Sequence, residues 1–411
     1  MALTHSSPAT ALVAVALVII TAQLLGALAQ RWHQPRVVGE IIAGIVLGPS
    51  LLGALAPALE NQLFSEAVRS QLALLGQLGL VLFMFLIGLE LNPKMLQGRI
   101  PLASRITVVG VLLPLGLGML LARGFELWQP QLLPGNQAIA GALFMGCAMA
   151  ITAFPVLARI LRERQLLSQP LGALAITAAA LQDVLSWVLL AVVVAFARSS
   201  SWAGSLLPLL GTTAWSLLLL FGLRPLRRRL QESYRRSHQL GPLLQASLFA
   251  GALLSAAVTE WMGVHAIFGA FLWGLAMPRY GPMRRRLEQR LEAVVLQLLL
   301  PLFFVISGLN TSIGSINTLP LLLTALLVLA VAVGGKFIGT WATAKLSGVT
   351  NLEAQALGWL MNTRGLTELV ILNVGLDLGV ISTELFTIGV VMALATSVMT
   401  GPLLDRLGFT I

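Results

Sequence analysis

Long apolar runs constrain this chain more than any other feature of its sequence. Runs of roughly 20 apolar residues recur from one end to the other, and each can cross a bilayer as a helix. Of the 411 residues, 57% are hydrophobic and only 10% are charged. A soluble protein of this length could not bury so much apolar surface. The sequence therefore predicts an all-α polytopic membrane protein in which residues 1–411 form a single membrane unit.

Hydropathy divides the chain into thirteen candidate transmembrane helices. They cover approximately residues 9–30, 37–55, 70–91, 101–122, 136–162, 168–197, 203–223, 242–260, 263–278, 291–308, 319–345, 353–376 and 383–404. No Lys or Arg precedes the first segment, whereas Arg31 and Arg36 follow it. This polarity is typical of a first transmembrane helix and not of a cleaved signal peptide. We expect the N-terminus outside and the C-terminus in the cytoplasm, in a bacterial inner membrane.

The distribution of basic residues explains the formal net charge of +10. With the N-terminus outside, 21 of the 26 Lys and Arg residues fall on the cytoplasmic side. Such a bias sets the orientation of membrane proteins, so a nucleic-acid partner is not required. The basic loop at residues 224–238 is interpreted as a topology signal that can also contact anionic lipid.

A weak internal repeat relates the two halves of the chain. Segment 3 contains LFMFLIGLELN and segment 10 contains LFFVISGLNTS, with Leu-Phe and Gly-Leu at the same offsets. Gly44 and Gly48 of segment 2 match Gly269 and Gly274 of segment 9 more loosely, and we expect close helix packing there, within the chain or at a dimer interface. Because seven helices separate the equivalents, the repeat predicts inverted six-helix halves, 1–6 and 8–13. Inverted repeats with broken helices are typical of secondary transporters.

Segments 5 and 12 contain residues that interrupt helices. The first break reads Thr152, Ala153, Phe154 and Pro155, and its equivalent reads Met361, Asn362, Thr363, Arg364 and Gly365. Pro removes a hydrogen-bond donor and Gly weakens a helix, so both segments can break in the membrane. Two crossing broken helices would point half-helix ends at each other, and their dipoles and free carbonyls suit a small cation. For Pro155 alone, a kink without function is the alternative.

A lone carboxylate, Asp183, lies near the centre of segment 6 and follows Gln182. A carboxylate in the bilayer is costly and usually marks an ion or proton pathway. Low polarity favours its neutral form, so it can hold either a proton or a cation. A structural salt bridge is the alternative role.

Three further charges lie within segments 11 and 12. Arg364 and Glu368 are four residues apart, close enough on a helix to form a structural pair. Lys336 either neutralises the core when Asp183 holds no cation or is a fixed structural charge.

The sequence offers no enzyme motif. It contains no P-loop, no Ser-His-Asp arrangement and no H-E-x-x-H. The single cysteine, Cys147, and four scattered histidines form no ligand motif. We therefore expect neither an enzyme nor a cofactor.

Seven motifs in order carry a family resemblance along almost the whole chain. They are VVGEIIAGIVLGPSLLG, LFMFLIGLELNPKML, ITAFPVLARIL, the Gln182-Asp183 pair, PLFFVISGLNTSIG, GGKFIGTWATAK and MNTRGLTELVILNVGLDLGVIS. On these motifs the chain resembles the cation:proton antiporter-2 family. That family includes Kef-type potassium efflux systems, plant cation/proton exchangers and NapA-like sodium/proton antiporters.

The resemblance implies a NapA-like fold of thirteen helices in a homodimer. It implies a dimerisation domain of about residues 9–92 and 242–312, a core domain of about 101–197 and 319–405 that moves as an elevator, and a linker helix of about 203–223. Asp183 matches the ion-binding aspartate of the family, Thr152 the threonine of the unwound helix, and Lys336 the core lysine. We expect an ion and proton site of Thr152, Ala153, Gln182, Asp183 and Thr363, with core charges Lys336, Arg364 and Glu368 and helix breaks at Pro155 and Gly365.

The residue at position 182 departs from the sodium-type pattern. Sodium-type members often carry Asp-Asp or Asn-Asp, whereas Gln182-Asp183 matches the Kef-type branch. In Asp-Asp relatives the lysine pairs with the first aspartate, so we expect no Lys336 pair at position 182. A single titrating carboxylate favours electroneutral one-for-one exchange. The Gln-Asp pair points to K⁺, while the other motifs are closer to sodium-type and plant members.

The predicted function is antiport of K⁺ or Na⁺ against protons, for pH and cation homeostasis. The sequence leaves two alternatives, a gated potassium-efflux channel and a membrane sensor that transports nothing. The sequence ends soon after helix 13, so we expect no Kef-type nucleotide-binding domain within it, through either truncation or natural absence.

Overall fold

The structure is a computed structural model that describes residues 8–32, 34–90, 100–134, 138–166, 169–199, 202–237, 241–262, 266–278 and 281–409. The described residues form helices and connecting turns. The α-helices are α1 Pro8–Arg31, α2 Arg36–Leu47, α3 Leu52–Leu55, α4 Pro57–Leu63, α5 Glu66–Glu90, α6 Ile100–Trp128, α7 Ala138–Ala150, α8 Phe154–Glu163, α9 Pro170–Ser199, α10 Trp202–Leu217, α11 Arg224–Ser237, α12 Pro242–Trp261, α13 Ala266–Ala276, α14 Gly281–Val294, α15 Leu300–Leu309, α16 Leu319–Leu346, α17 Asn351–Met361, α18 Leu366–Asp377 and α19 Thr383–Arg406. Two π-helical turns, Leu218–Gly222 and Val295–Leu299, follow α10 and α14.

Each of the thirteen predicted apolar segments overlaps at least one helix. Within the described ranges, nine helices are long and apolar enough to cross a membrane, and three shorter apolar helices accompany them. The prediction of an all-helical, multi-pass membrane protein is confirmed. The count of thirteen spans and the inverted relation of the halves stay predictions.

Contacts divide the chain into two compact units. Unit 1 comprises Met1–Ile19, Phe64–Lys94 and Val194–Ile306, and unit 2 comprises Ile20–Leu63, Met95–Val193 and Ser307–Ile411. Residues 20–63 therefore belong to unit 2 by their contacts, although the resemblance assigns all of them to the dimerisation domain. The dimerisation domain, the core domain and the linker helix stay predictions.

In unit 1, glycines let α5 and α13 pack with their backbones in contact. A Cβ atom on Gly274 would lie 2.3 Å from the carbonyl oxygen of Phe85, and one on Gly88 would lie 2.3 Å from that of Phe271. Such distances leave no room for a side chain at either position. Packing within the chain therefore accounts for Gly274. This is the first of the two alternatives given for the glycines of segments 2 and 9.

Unit 2 contains every predicted site residue, on its helices or in the breaks between them. Helix α6 packs against α7 and α16, α16 packs against α17, and α19 contacts α16, α17 and α18. The helix pairs α7 with α8 and α17 with α18 are the predicted broken segments.

Both predicted helix breaks are present. Helix α7 ends at Ala150 and α8 begins at Phe154, while α17 ends at Met361 and α18 begins at Leu366. Pro155 is the second residue of α8, a position where the missing N–H leaves no helical bond unmade. The break therefore precedes the proline and occupies residues 151–153, which corrects its predicted position at Pro155.

Gly365 lies directly before the first residue of α18 and permits a close approach between the two breaks. A Cβ atom at this position would lie 2.9 Å from Cγ2 of Val156 in α8. The predicted break at Gly365 is therefore also a packing point between α8 and α18.

Candidate ion-binding site

The two interrupted segments contact each other through one backbone hydrogen bond. The backbone N–H of Ala153 donates to the carbonyl oxygen of Thr363 at 3.0 Å. The hydroxyl oxygen of Thr152 lies 2.8 Å from the carbonyl oxygen of Met361, the last residue of α17. Thr152, Ala153 and Thr363 are all buried. The structure thus brings together the three break residues that the sequence assigned to the site.

Gln182 connects the first break to Lys336. Its Oε1 atom lies 2.8 Å from the Thr152 hydroxyl and accepts from the Lys336 ammonium at 2.9 Å. The hydroxyl has one proton, so it donates to Gln182 or to Met361 at any moment. The expectation of no Lys336 pair at position 182 is wrong, because an amide oxygen accepts a hydrogen bond where a carboxylate would form an ion pair.

The Lys336 ammonium is buried on α16 and uses all three of its protons. It donates to the carbonyl oxygens of Gly110 at 2.9 Å and of Ala150, in addition to Gln182. Ala150 is the last residue of α7, where the helix dipole places partial negative charge. This saturated geometry accords with a fixed structural charge, the second of the two roles considered for Lys336.

Arg364 binds two further carbonyl oxygens at the C-terminal end of α7. Its guanidinium donates to the carbonyl oxygens of Ala148 at 2.6 Å and Met149 at 2.7 Å, and to the Glu368 carboxylate at 2.8 Å. Ser397 of α19 in turn donates to the Arg364 carbonyl. The predicted Arg364–Glu368 pair is confirmed, with both side chains fully buried.

The last turn of α7 differs from the expectation in one respect. The final three carbonyl oxygens of α7 all accept hydrogen bonds from the side chains of Arg364 and Lys336. The free carbonyls predicted for a small cation are therefore in use at this helix end. The physical reason is that the negative end of a helix dipole attracts any available cation, including a side chain.

Asp183 is the exception in this paired network. It lies on the uninterrupted helix α9 and is 1% exposed. Its Oδ2 atom accepts from the indole N–H of Trp187 at 3.3 Å, and within the described chain Oδ1 has no hydrogen-bond partner. No Lys or Arg of the described ranges pairs with it, so the salt-bridge alternative has no support here. Burying a carboxylate without a cation is costly, which favours a role in ion or proton binding.

Other buried oxygens of unit 2 also lack partners in the described part of the chain. They include Ser186 Oγ on α9, Thr340 Oγ1 on α16, Asn362 Oδ1 in the second break and Thr367 Oγ1 on α18. Ser186 follows Asp183 by three residues, so both lie on one face of α9. Hydroxyl and amide oxygens are suitable ligands for a hard monovalent cation.

The residues of this network that were not identified from the sequence include Trp187, Ser186, Gly110 and Ser397. Helical spacing could have found Trp187, which follows Asp183 by four residues, and Ser186. Gly110 and Ser397 carry no local signal, because they reach the site only through the packing of α6 and α19. In the described ranges, no group of three or more His, Cys, Asp or Glu residues could hold a metal ion.

Interrupted helices that meet near a buried carboxylate are typical of secondary transporters. Residues 14–409 match the family model described as "Sodium/hydrogen exchanger, transmembrane". The chain therefore belongs to the sodium/hydrogen exchanger family, and the family resemblance predicted from its motifs is confirmed.

Curated relatives include cation/proton antiporters from three groups of organisms. The Na⁺/H⁺ antiporter NhaS4 of Synechocystis is 43% identical over 95% of this chain and 95% of its own length. The cation/H⁺ antiporter 17 of Arabidopsis thaliana is 38% identical over 95% of this chain, and the K⁺/H⁺ antiporter 1 of Saccharomyces cerevisiae is 33% identical over 97% of it. This chain spans 47% of the plant protein and 46% of the yeast protein.

A solved structure supports the fold. The sodium proton antiporter MjNhaP1 of Methanocaldococcus jannaschii superposes with a TM-score of 0.70 over 97% of both chains, at 15% sequence identity. At this identity the similarity concerns the fold alone.

Proposed function

We propose that this protein is a secondary antiporter that exchanges a monovalent cation, K⁺ or Na⁺, for a proton at Asp183. The observation that carries the proposal is the fully buried Asp183 carboxylate, which has one unpaired oxygen among the described residues and follows Gln182 in sequence. Gln182 contacts both the first helix break and Lys336. The named activities of the cyanobacterial, plant and yeast relatives support the same reaction class.

Exchange follows from competition for one carboxylate. Asp183 is neutral when it carries a proton and is neutralised when it carries a cation, whereas the bare carboxylate is costly to bury. Only the two loaded forms therefore cross the low-dielectric part of the membrane easily. In the proposed elevator, a core domain that contains Asp183 moves against a dimerisation domain in a homodimer and exposes the site to each side in turn.

The other site residues position Asp183 and balance charge. Thr152, Ala153 and Thr363 hold the two breaks together. Gln182, the N-terminal neighbour of the aspartate, contacts Thr152 and Lys336. Lys336 donates to three oxygen acceptors that surround its ammonium group. Each cycle then moves one cation inward or outward and one proton in the opposite direction, without net charge.

Cation-dependent proton flux tests the exchange and assigns the ion. We expect a pH jump across proteoliposomes to release protons when KCl or NaCl is added, and not when choline chloride is added, because Asp183 accepts only a small cation. Fluorescence of an internal pH dye measures the proton flux, so the effects of K⁺ and Na⁺ can be compared in one preparation. A flux as fast in choline as in K⁺ and Na⁺ would contradict antiport, and conduction of cations without a proton gradient would indicate a channel.

Electroneutrality is a separate expectation. With one titrating carboxylate in the pair, turnover should produce no transient current on a solid-supported membrane. Gln182→Asp is the matched comparison, since a second carboxylate beside Asp183 allows more than one proton per cation and should make the currents appear. Currents in the unchanged protein that scale with its transport rate would refute one-for-one exchange while leaving antiport intact.

A further inference from the structure

Helix α11 is strongly basic and amphipathic. Its 14 residues include six arginines and one glutamate. Leu226, Leu230 and Tyr234 recur every four residues and thus share one face, on which Tyr234 is 2% exposed. The arginine-rich side of such a helix belongs at the interface between membrane and water, where basic amphipathic helices meet lipid headgroups.

A cavity of about 660 Å³ lies beside the first turns of α11, within unit 1. It has a polar wall and an apolar wall, supplied by different elements. The polar wall consists of Arg224, Arg227, Arg228 and Gln231. The apolar wall includes Leu220 and Phe221 from the preceding π-helical turn and Leu275, Met277 and Pro278 from the end of α13 and the residues after it.

Two of the arginines are held at the cavity by specific contacts. The Arg224 guanidinium lies 5.2 Å from the centre of the Phe221 ring, a cation–π distance. Arg227 donates through Nη2 to the carbonyl oxygen of Leu220 at 3.2 Å. These contacts anchor the side chains but do not neutralise them.

Among the residues that the structure describes, the cavity arginines have no counter-ion. In the part of the chain that the structure describes, no carboxylate forms an ion pair with Arg224, Arg227 or Arg228. Partial burial and the nearby Arg224 guanidinium both lower the pKa of Arg227. Three clustered like charges repel one another, so the cluster is stabilised by an anion placed between them.

The shape of the site favours a lipid over a soluble anion. Guanidinium groups match phosphate oxygens in geometry and charge, which explains the polar wall. An apolar wall next to it suits the start of an acyl chain, which a soluble phosphate lacks. The charge distribution assigns α11 to the predicted cytoplasmic side, where anionic lipids attract basic segments.

We propose that the cavity formed by Arg224, Arg227 and Arg228 with Phe221 and Met277 binds the phosphate headgroup of an anionic phospholipid. This site is separate from Asp183 and goes beyond the transport function. It would fasten α11 to the inner leaflet.

Lipid binding by the purified full chain in detergent tests this site. Bound phosphatidylglycerol and phosphatidylcholine are counted by native mass spectrometry, and the increase in melting temperature is followed as each lipid is added. We expect phosphatidylglycerol to bind more tightly, and the double variant R224Q/R228Q to weaken its binding by roughly tenfold or more. The variant R229Q/R236Q is the matched control, because it removes two arginines from the same helix outside the cavity and should weaken binding no more than roughly twofold.

Further results decide between a lipid site and its alternatives. R224K/R228K, which keeps the charges, should retain most of the affinity, whereas a folding defect would lower the melting temperature of R224Q/R228Q without lipid. Equal affinity for the two lipids would overturn the proposal, and so would equal losses in both glutamine variants, which indicate a diffuse charged surface. Tight binding of soluble glycerophosphoglycerol, at an affinity equal to that of the lipid, would overturn the assignment to a membrane lipid.

Discussion

Asp183→Asn is expected to reduce cation-dependent proton flux in proteoliposomes to background. Asparagine has nearly the same shape and can still accept from Trp187, but it can neither take up a proton nor neutralise a cation. The pH-jump assay with an internal dye, at equal amounts of reconstituted protein, measures the loss. Because the substitution also removes a costly buried charge, we expect the variant to fold and to melt no earlier than the unchanged protein.

The matched control for this experiment is Asp377→Asn. Asp377 ends α18 in the same unit and is exposed, so the same chemical change there should leave exchange nearly intact. Full activity of Asp183→Asn would remove the aspartate from the mechanism. Loss of activity in both variants to the same extent would show that the effect is not specific to position 183.

Lys336→Met is expected to lower the free energy of unfolding by about 2–4 kcal/mol. Methionine has a similar length but no donor, so the oxygens of Gly110, Ala150 and Gln182 would lose a hydrogen bond in a buried place. Each such loss costs about 1–3 kcal/mol, and relief from burying an ammonium offsets part of the total. Thermal and denaturant unfolding of the detergent-solubilised protein, followed by tryptophan fluorescence, measures the change.

Lys345→Met provides the comparison on the same helix. Lys345 is exposed and lies 5.1 Å from the Trp341 ring, a contact worth about 1 kcal/mol or less at such a site. If Lys336→Met were as stable as Lys345→Met, the ammonium would not be a structural charge, and a role in proton exchange would become the better interpretation.

The parts of the fold that bilayer physics dictates could be predicted from the sequence. A helix satisfies its own backbone in lipid and needs about 20 apolar residues to cross it, so apolar runs and helices coincide along the chain. The second break was placed at Met361 to Gly365, and α17 does end at Met361. Asp183 was identified because a carboxylate in an apolar run is costly, whatever the details of the fold.

Features that depend on tertiary contacts could not be predicted in the same way. The first break precedes Pro155, because proline fits the beginning of the second half-helix. In segment 2, the first helix, α2, already ends at Leu47. In segment 10, the π-helical turn Val295–Leu299 connects α14 to α15. The acceptors of Lys336 come from α6, α7 and α9, so only the packed structure assigns them.

The occupied end of α7 has a consequence for how an ion would lose its water. The carbonyl oxygens of its last turn already accept hydrogen bonds from Arg364 and Lys336. These two positive charges repel a third cation from that helix end. An ion that reaches Asp183 therefore cannot exchange its hydration shell for a cage of α7 carbonyls. We expect it to retain part of that shell, so the choice between K⁺ and Na⁺ depends on the cost of partial dehydration at one carboxylate.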